Sequence, residues 1–502
     1  MRGFTPGKHS FEDYGGALSL EVDVAVLGAG AGGAAAAYAL ANAGHTVAVI
    51  EEGRHWRPAQ FQRSNPWALR NLYQDQGARA AMGTGGFLPV NGGKGVGGST
   101  LINSAISFKT PASVLKGWRE NSGFNPKGDF ERLLDEVWST VGVIVNPEPI
   151  QGRNNTIFKQ GAEALGLKGG WLERGAPGCT GCGACQIGCP SGGKNSVDRT
   201  FLAKALLTNR VGVYADCRVE DLPHDGARVS SATGRLMEPN AQAPAGGFEV
   251  KAKRFVLSGG PIGSPRLLMR AGLAPNEHVG QHLHFHPAAG VFGAFDEDIL
   301  HWKGVSQGYY VDAWDEGYLL ETSTVTPDLH YVGLGLPFGP ELNAVMADLR
   351  KTASAGAMVH DEDTVGVVNA NSISLEFGDG DRRRMLAGLR RCAEVYFAAG
   401  ARYVVSSVAG AGVMRDMAQV NAQLHEAVSF ARITAISSHP MGTCRTGDDP
   451  AESVVDPSGL VWGTDNLHVA DASVFPSSLG VNPQITVMAC GLMIGAEAAA
   501  RV

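Results

Sequence analysis

Residues 22–51 read VDVAVLGAGAGGAAAAYALANAGHTVAVIE, and this stretch decides the fold class. The pattern predicts an apolar, β-branched strand from Val22 to Leu27 and a glycine-rich turn after it. An alanine-rich helix follows from Ala34 to Ala43, and Gly44 ends it. A second apolar strand runs from Thr46 to Ile50. Together these elements predict one βαβ unit of an α/β protein.

The glycines of this unit have the spacing of a dinucleotide-binding turn. Gly28 allows the tight turn, Gly30 lets a pyrophosphate approach the bare backbone, and Gly33 lets the helix pack closely on the strand. Glu51 stands at the end of the second strand, about 20 residues on, where an acid accepts a hydrogen bond from a ribose hydroxyl. The unit predicts a dinucleotide site but leaves NAD and FAD open, because both place an adenosine diphosphate in the same way.

Five segments, taken in order from Val22 to Ala498, resemble the glucose-methanol-choline (GMC) oxidoreductase family, whose members bind FAD. The first four are residues 28–51, Gly97–Asn103 (GGSTLIN), Gly259–Pro265 (GGPIGSP) and Val279–Pro287 (VGQHLHFHP). The fifth is a C-terminal match made of two blocks, one around His439 (SHPMGTCR) and one around Asn482 (GVNPQ).

The resemblance implies a site for alcohol oxidation. It makes His439 the active-site histidine beside the flavin and Asn482 its polar partner. An alcohol gives up its hydride readily only as its hydroxyl proton leaves, so a base with a pKa near neutrality is needed. Asn482 can donate to the developing alkoxide, and flavin N5 accepts the hydride. The predicted cofactor-binding residues are Gly28, Gly30, Gly33, Glu51, Gly98, Ser99, Asn103, Val219, Asp471, Ala472, Pro483 and Gln484.

The predicted architecture is a mixed α/β fold, with a discontinuous, Rossmann-like FAD-binding domain of GMC type and an inserted substrate domain. The FAD-binding domain is assigned to residues 20–110, 195–287 and 433–502, and a connecting segment to residues 111–194. The substrate-binding domain, residues 288–432, is expected to contain an antiparallel sheet. The chain pattern also predicts strands at Val211–Tyr214, Arg254–Ser258, Gly308–Val311 and Tyr331–Leu336, and a helix at Arg382–Ala398.

The chain departs from the family pattern at two places. Where many members carry an asparagine before an aspartate-histidine pair, it has His282, His284 and His286 in alternation. On one strand these side chains would share a face, which permits a metal site, although no carboxylate or cysteine flanks them. No histidine occurs in residues 95–98, where some members attach FAD covalently, so a non-covalent flavin is expected.

A cysteine-rich loop, residues 178–190, needs a separate interpretation. Cys179, Cys182, Cys185 and Cys189 have the spacing with which bacterial ferredoxins ligate a [4Fe-4S] cluster. Only one such run is present, so a single cluster needs Cys189 or a distant ligand such as Cys217 as its fourth. A structural zinc site and structural cysteines, reduced or disulfide-linked, are the alternatives. A cluster near the flavin favours a dehydrogenase that passes electrons to a redox protein or quinone, whereas its absence favours an O2-using oxidase.

Composition excludes several other classes of function. The formal charge of −7 includes no long basic run, so no nucleic-acid partner is expected. The first 20 residues lack the apolar region of a secretory signal, and no stretch has the length and apolarity of a transmembrane helix, which predicts a cytoplasmic protein. The expected partner is a small-molecule alcohol. A lyase that keeps FAD structurally and an electron-transfer subunit built around the cysteines are the rival interpretations.

Overall fold

The structure is a computed structural model that describes residues 1–83, 85–125 and 127–502. Its strands, numbered along the chain, are β1 Gly7–His9, β2 Ala17–Leu27, β3 Val47–Ile50, β4 Ala80–Gly83, β5 Gly86–Pro89, β6 Ile144–Val145, β7 Gly169–Trp171, β8 Glu173–Arg174, β9 Val211–Tyr214, β10 Cys217–Asp221, β11 Ser231–Glu238, β12 Ala243–Leu257, β13 Ala288–Ala294, β14 Tyr309–Ala313, β15 Tyr318–Thr322, β16 Thr352–Val359, β17 Val365–Val368, β18 Ile373–Glu376, β19 Tyr403–Ser406, β20 Ala435–Ile436 and β21 Leu467–Val469.

The helices are numbered in the same way. The α-helices are α1 Phe11–Tyr14, α2 Ala31–Asn42, α3 Asn65–Leu72, α4 Ala112–Ser122, α5 Phe130–Val141, α6 Arg153–Ala164, α7 Phe201–Leu207, α8 Gly260–Ala271, α9 Pro340–Ala347, α10 Asp379–Ala398, α11 Met417–Gln423 and α12 Gln484–Ala499. Short 3₁₀ helices lie at Pro58–Gln60, Gln74–Gly77, Gly98–Leu101, Glu148–Ile150, Cys185–Ile187, Trp314–Glu316, His330–Gly333, Leu349–Lys351, Phe430–Arg432 and Ala472–Val474.

The first large sheet contains the predicted βαβ unit as β2, α2 and β3. Its strand order is β1-β9-β3-β2-β12-β11-β10, and β21 pairs with the C-terminal end of β12. Strands β1, β9, β3, β2 and β12 run parallel to one another, and β21 runs parallel to β12. β11 is antiparallel to β12, and β10 is antiparallel to β11. The carboxyl ends of β2 and β3 therefore lie side by side, where a parallel sheet of this kind binds its ligand.

Two helices over this sheet, α2 and α12, pack very closely against each other. α2 begins at Ala31, three residues before the predicted start, because the glycines of its first turn continue directly into helix. α12 packs on α2 through small residues: a Cβ at Gly491 would lie 2.3 Å from the backbone oxygen of Gly32. This packing fixes the N-terminal part of α12, which follows Asn482, against the glycine turn.

The second large sheet is antiparallel, with the order β19-β13-β16-β15-β14-β7, and β20 pairs with β13. β7 comes from the predicted connecting segment, and β20 follows residue 432, so the sheet extends past both boundaries of the predicted substrate domain. α10 covers this sheet and, like the predicted helix, ends at Ala398. A smaller sheet, β17-β18-β4-β5, and the pair β6-β8 complete the fold of the described residues.

One strand prediction is wrong. Residues 331–336 form the end of a short 3₁₀ helix and an irregular segment instead of a strand. Gly335 has φ +56°, in the left-handed region, which breaks an extended chain there. No helix in the described part of the chain has both the length and the apolarity needed to cross a membrane.

Candidate active site

The first glycine turn leaves an open space at the start of α2. Gly28 has φ +118°, and a Cβ there would lie 2.2 Å from the backbone oxygen of Ser258. Gly33 closes the turn, since a Cβ there would lie 2.1 Å from the oxygen of Gly28. Gly30 faces open space, where a Cβ would meet no atom within 4 Å. No side chain of the described residues caps α2, so its first N–H groups and this space fit a pyrophosphate group.

Glu51 joins this turn to a second glycine segment. Its Oε2 accepts a hydrogen bond from the Ala29 N–H at 3.0 Å, and its Oε1 accepts from the N–H groups of Gly53 at 2.9 Å and Gly95 at 3.1 Å. Burial, together with the charge of Glu52, raises the pKa of this carboxyl to about 7, although the three backbone hydrogen bonds oppose the shift. The carboxyl therefore shapes the cradle itself, and the predicted ribose contact stays a prediction.

The second glycine turn lies directly against the first. Gly98 begins a 3₁₀ helix, and a Cβ at this residue would lie 2.8 Å from Cα of Gly30. The Ser99 hydroxyl accepts a hydrogen bond from the Gly93 N–H at 2.9 Å, which fixes the turn. Residues that are about 70 positions apart in the sequence thus border the same open space.

Asn103 is hydrogen-bonded to Gln484, which lies 381 positions later in the sequence. Nδ2 of Asn103 donates to Oε1 of Gln484 at 2.9 Å, and Nε2 of Gln484 donates to the backbone oxygen of Ile106 at 2.7 Å. Pro483 is the residue before α12, so Gln484 is held at the start of that helix. The structure therefore brings three predicted cofactor residues into one place.

Asp471 is buried where β21 ends. Its carboxyl accepts hydrogen bonds from the Gly260 N–H at 2.9 Å, the Ser264 hydroxyl at 2.6 Å and the Ser473 N–H at 2.8 Å. It caps the 3₁₀ helix Ala472–Val474 and fixes the beginning of α8. Both helix starts lie next to the turn, since a Cβ at Gly32 would come within 3.1 Å of Cα of Asp471.

The block that carries His439 is held in place by backbone hydrogen bonds. The Gly442 N–H donates to the Ala472 oxygen at 3.1 Å, which ties the block to the residue after Asp471. Met441 and His284 exchange two backbone hydrogen bonds, each of 3.0 Å. His439 therefore lies between the cofactor cradle and the segment that carries the three alternating histidines.

His439 and His286 meet here, and a hydrogen bond joins His286 to the loop that precedes Asn482. The rings of His286 and His439 meet edge to face, with centroids 5.5 Å apart. The Gly480 N–H donates to Nε2 of His286 at 2.8 Å, which positions the loop leading to Asn482. Among the described residues, Nδ1 of His439 and Oδ1 of Asn482 are buried and have no hydrogen-bond partner. One buried polar atom of each predicted catalytic residue is thus unpaired in the described chain, and their joint role stays a prediction.

Burial determines the charge state of both histidines. It lowers the pKa of His439 to about 4. It also lowers the pKa of His286 well below the ordinary value, although the charge of Asp361 partly opposes the shift. Both rings are therefore neutral near pH 7, and His439 is able to accept a proton.

The buried carboxyl of Asp361 holds the segment that carries His286 in place. It is fully buried and accepts hydrogen bonds from the N–H groups of Phe285 at 2.7 Å and His286 at 3.2 Å and from the Ser478 hydroxyl at 2.9 Å. Burial alone would raise its pKa, but the side chain of His284, with Nδ1 at 3.6 Å, and the backbone donors hold the pKa well below the usual range.

We expect Asp361→Ala to destabilise the protein by about 2–4 kcal/mol at pH 7, because it leaves buried donors unpaired. A carboxyl with a depressed folded-state pKa stabilises the protein above its unfolded pKa of about 4 and loses this contribution as the pH falls. The difference in unfolding free energy between wild type and variant, measured from pH 3 to 7, should therefore be largest above about pH 5 and shrink as the pH falls below about 4. Glu362→Ala, which removes a partly exposed ion pair with Arg384, serves as the control. Equal stability of Asp361→Ala and wild type at pH 7 would contradict this assignment.

The expectation that the three alternating histidines share one face of a strand is wrong. His282 and His286 have φ values of +60° and +47°, so the segment is not extended. His282 stacks on His278, His284 approaches Asp361, and His286 faces His439. The side chains diverge, and the optional metal site at this segment finds no support.

Two further residues complete the comparison with the sequence predictions. Val219 lies on β10, two residues after Cys217, whose N–H donates to the backbone oxygen of Glu51 at 2.8 Å. Glu321 on β15 was not predicted at all, yet its buried carboxyl interacts with the Asn482 side chain. A single acid in an otherwise apolar strand, YLLET, was the only signal in the sequence.

A cleft of about 780 Å³ borders the loop that leads to Asn482. Trp314 and His360 stack in its wall with centroids 4.9 Å apart. Gly480 packs against them, since a Cβ there would lie 2.1 Å from the Trp314 ring. The cleft therefore contacts the active-site loop from the side opposite His286.

Three of the four cysteines of the loop lie against two buried basic residues, Arg174 and Lys194. Arg174 donates to Sγ of Cys185 at 3.3 Å and lies 3.7 Å from Sγ of Cys179. The backbone N–H of Lys194 lies 3.4 Å from Sγ of Cys189. Burial raises the pKa of the Cys185 thiol, but the charges of Arg174 and Lys194 outweigh this and lower it overall.

This arrangement does not fit the predicted [4Fe-4S] cluster or the zinc alternative. Within residues 1–83, 85–125 and 127–502, no three His, Cys, Asp or Glu side chains are grouped so that they could hold a metal ion. The guanidinium of Arg174 contacts two of the sulfur atoms, and Cys182 packs instead beside an apolar cluster that includes Leu72 and Leu101. All eight cysteines are free thiols, as expected for structural, reduced cysteines.

Comparison with known proteins identifies the relatives of this chain. The N-terminal and C-terminal family models of GMC oxidoreductases match residues 41–288 and 367–491. An uncharacterized GMC-type oxidoreductase of Mycobacterium tuberculosis is 33% identical over 474 residues, which cover 92% of this chain and 73% of that protein. Long-chain-alcohol oxidase FAO4A of Arabidopsis thaliana is 29% identical, and the match covers 91% of this chain and 65% of the relative.

Solved structures share the fold at low sequence identity. Pyridoxine 4-oxidase from Mesorbium loti superposes with a TM-score of 0.70 at 18% identity, covering 94% of this chain and 98% of that chain. A formate oxidase of Aspergillus oryzae RIB40 whose FAD modification was studied gives a TM-score of 0.69 at 15% identity, covering 96% and 98%. The predicted fold class, a GMC-type FAD-binding domain with a substrate domain that has an antiparallel sheet, is confirmed.

Proposed function

Because this chain belongs to the GMC oxidoreductase family, we propose that it oxidises a small-molecule alcohol to an aldehyde or ketone, with FAD as cofactor and His439 as base. One observation carries this proposal: the buried Nδ1 of neutral His439 has no hydrogen-bond partner among the described residues, and the block that carries this residue is tied to the cradle at Ala472. In this proposal the imidazole accepts the proton of an alcohol hydroxyl, and the NH2 group of Asn482 donates a hydrogen bond to the alcohol oxygen.

The residues of the cradle would hold the cofactor without a covalent bond. The free N–H groups of α2 and the space at Gly30 suit the pyrophosphate, and Glu51 and Asp471 carry carboxyl groups beside it. Asn103 and Gln484 are placed by each other for further contacts. When bound, FAD supplies the group that accepts the hydride from the alcohol.

The chain's own residues prepare the alcohol for oxidation. His439, neutral near pH 7, accepts the hydroxyl proton, and the Asn482 amide donates to the oxygen as negative charge develops on it. His286 does not compete for this proton, because its Nε2 already accepts the Gly480 N–H. His286 instead acts as a positioning residue that keeps His439 and the Asn482 loop together.

We further propose a primary alcohol as substrate and O2 as electron acceptor, because relatives of this chain are named long-chain-alcohol oxidases. A redox protein or quinone is the alternative acceptor. No electron-transfer step is assigned to the cysteine loop, since its sulfur atoms are not grouped around a metal position within the described residues.

An anaerobic absorbance titration of the purified protein tests these proposals. Primary alcohols from ethanol to 1-hexadecanol, and benzyl alcohol, are added one by one, and iron and sulfide are measured in the same sample. We expect flavin bands that bleach with an alcohol and, after air is admitted, recover while hydrogen peroxide forms. Bleaching without recovery in air would exclude O2 and favour the alternative acceptor. Flavin bands that no alcohol bleaches would reject the oxidation and favour the lyase.

A further inference from the structure

Two buried basic residues next to the cysteine-rich loop lack a carboxylate partner. Arg174 is fully buried, and Lys194 is only 3% exposed. Arg174 donates to the backbone oxygen of Ser104 at 2.7 Å and to Oδ1 of Asn146 at 2.8 Å, which are both neutral acceptors. Within the described part of the chain, no salt bridge joins either cation to an acid. Buried charges are almost always paired, so the counter-charge has to come from another group.

The sulfur atoms of the loop are in position to supply this charge. One terminal nitrogen of Arg174 donates to Sγ of Cys185 at 3.3 Å, and the other lies 3.7 Å from Sγ of Cys179. The Gly181 N–H donates to Sγ of Cys179 at 3.5 Å. Although burial raises the pKa of the Cys185 thiol, the charges of Arg174 and Lys194 lower it overall. Cationic and N–H donors of this kind favour the thiolate form of a cysteine.

The same cations hold the second glycine turn of the cofactor cradle. Nζ of Lys194 donates to the backbone oxygens of Leu101 at 2.9 Å and Asn103 at 2.7 Å. It also donates to that of Cys185 at 3.1 Å, so one ammonium group bridges the cysteine-rich loop and the turn. Nε of Arg174 holds the residue that follows Asn103. A change of charge at the sulfur atoms therefore acts on the backbone that carries a predicted cofactor residue.

We propose that Cys179 and Cys185 form a thiol pair that hydrogen peroxide oxidises to a disulfide bond, and that this oxidation weakens FAD binding. Sγ of the partly exposed Cys179 attacks one oxygen of peroxide, the O–O bond breaks, and a sulfenic acid and water form. The Cys185 thiolate then attacks this sulfur atom. The S–S bond forms, the S–O bond breaks, and the leaving hydroxide takes up a proton to give a second water. The two sulfur atoms lose two electrons in total, which the peroxide gains.

The disulfide bond removes both counter-charges from Arg174. Its sulfur atoms are neutral and about 2 Å apart, so they no longer pair as anions with the two nitrogens of the guanidinium. The buried cation then lacks a partner, which destabilises its hydrogen bond to Ser104 and the turn beside it. Peroxide is the product of the O2 reaction proposed above, so the effect on turnover rests on the proposed function. The thiol chemistry itself does not.

The test exposes purified holoenzyme, without alcohol, to added hydrogen peroxide and then blocks the remaining thiols with iodoacetamide. Trypsin releases residues 175–194, which contain all four cysteines of the loop, and fragmentation in the mass spectrometer identifies the linked pair. The FAD dissociation constant is measured from flavin fluorescence on dilution. Cys179→Ser removes the exposed member of the pair. Cys182→Ser is the matched control, because Cys182 packs beside an apolar cluster.

We expect a bond between Cys179 and Cys185 in the wild type and in Cys182→Ser. The FAD dissociation constant of both should rise at least about tenfold on oxidation, because a buried cation loses its counter-charge. Dithiothreitol should break the bond and restore the affinity. Cys179→Ser should keep its FAD affinity through the same treatment. The melting temperature of each variant is recorded, and the wild-type protein alone decides the question if Cys179→Ser does not fold.

Three results would overturn the proposal: a bond that involves Cys182 or Cys189, an unchanged FAD dissociation constant in the oxidised wild type, or equal flavin loss in oxidised Cys179→Ser. Thiols that stay reduced at peroxide concentrations that oxidise free cysteine would overturn it as well. None of these measurements uses an alcohol. A failure of the proposed function, which the anaerobic titration detects, is therefore distinguished from a failure of this inference.

Discussion

Replacement of His439 by alanine should lower turnover with alcohol at least about a hundredfold, the usual scale for losing a general base, while FAD stays bound. The side chain has no hydrogen-bond partner at Nδ1 in the described chain, so its removal breaks few structural contacts. The cradle residues around Gly30 and Glu51 do not contact it through any hydrogen bond of the structure. The measurement is steady-state turnover together with the ratio of flavin to protein.

The pH profile of the wild type gives an independent check on His439. The base must be unprotonated, and its pKa is about 4, so kcat/KM should fall as the pH drops through about 4 and be independent of this residue above pH 5. His425→Ala, at an exposed histidine, is the matched control and should retain turnover. Near-normal turnover of His439→Ala with full flavin content would remove His439 from the mechanism.

The features that could be predicted from the sequence are those that depend on residues close together in the chain. The unit β2-α2-β3 follows from a strand pattern, a glycine turn and an alanine-rich helix that lie within 30 residues. The order and type of its elements were right, whereas β2 begins five residues and α2 three residues earlier than predicted, and the end of α2 and the start of β3 each differ by one residue. The five ordered motifs located His439 and Asn482 through the family resemblance. Nothing in them reveals that Asn103 and Gln484 are hydrogen-bonded to each other, because that contact joins residues 381 positions apart.

The supporting residues could not be read from the sequence for a physical reason. Asp361 and Glu321 act through contacts with distant segments. In the sequence, Asp361 is one of three consecutive acids and Glu321 is a single acid in the strand YLLET, and neither pattern shows what its side chain contacts. The histidine prediction failed because positive φ values at His282 and His286 are set by tertiary contacts. The cysteine spacing suggested a metal cluster, but spacing does not reveal that Arg174 lies between two of the thiols.

The substitutions Gly30→Ala and Gly28→Ala should have different effects: the first should weaken FAD binding alone, and the second should prevent folding. A methyl group at Gly30 meets no protein atom within 4 Å, and φ of −75° suits any residue. We therefore expect Gly30→Ala to fold with a stability within about 1 kcal/mol of the wild type, the scale of an N-cap change. The methyl group occupies the space assigned to the pyrophosphate, so FAD affinity should fall at least about tenfold, or about 1.4 kcal/mol.

Gly28→Ala should instead abolish folding and FAD binding together. Its methyl group would lie 2.2 Å from the backbone oxygen of Ser258, the residue that follows β12 of the same sheet, and φ of +118° strains any side chain. Gly117→Ala, inside α4 with its nearest atom at 3.9 Å, is the control that should change neither property. FAD affinity is measured by fluorescence titration of flavin-depleted protein, and stability by thermal unfolding. Wild-type FAD affinity in Gly30→Ala would show that the pyrophosphate does not approach the backbone at this turn.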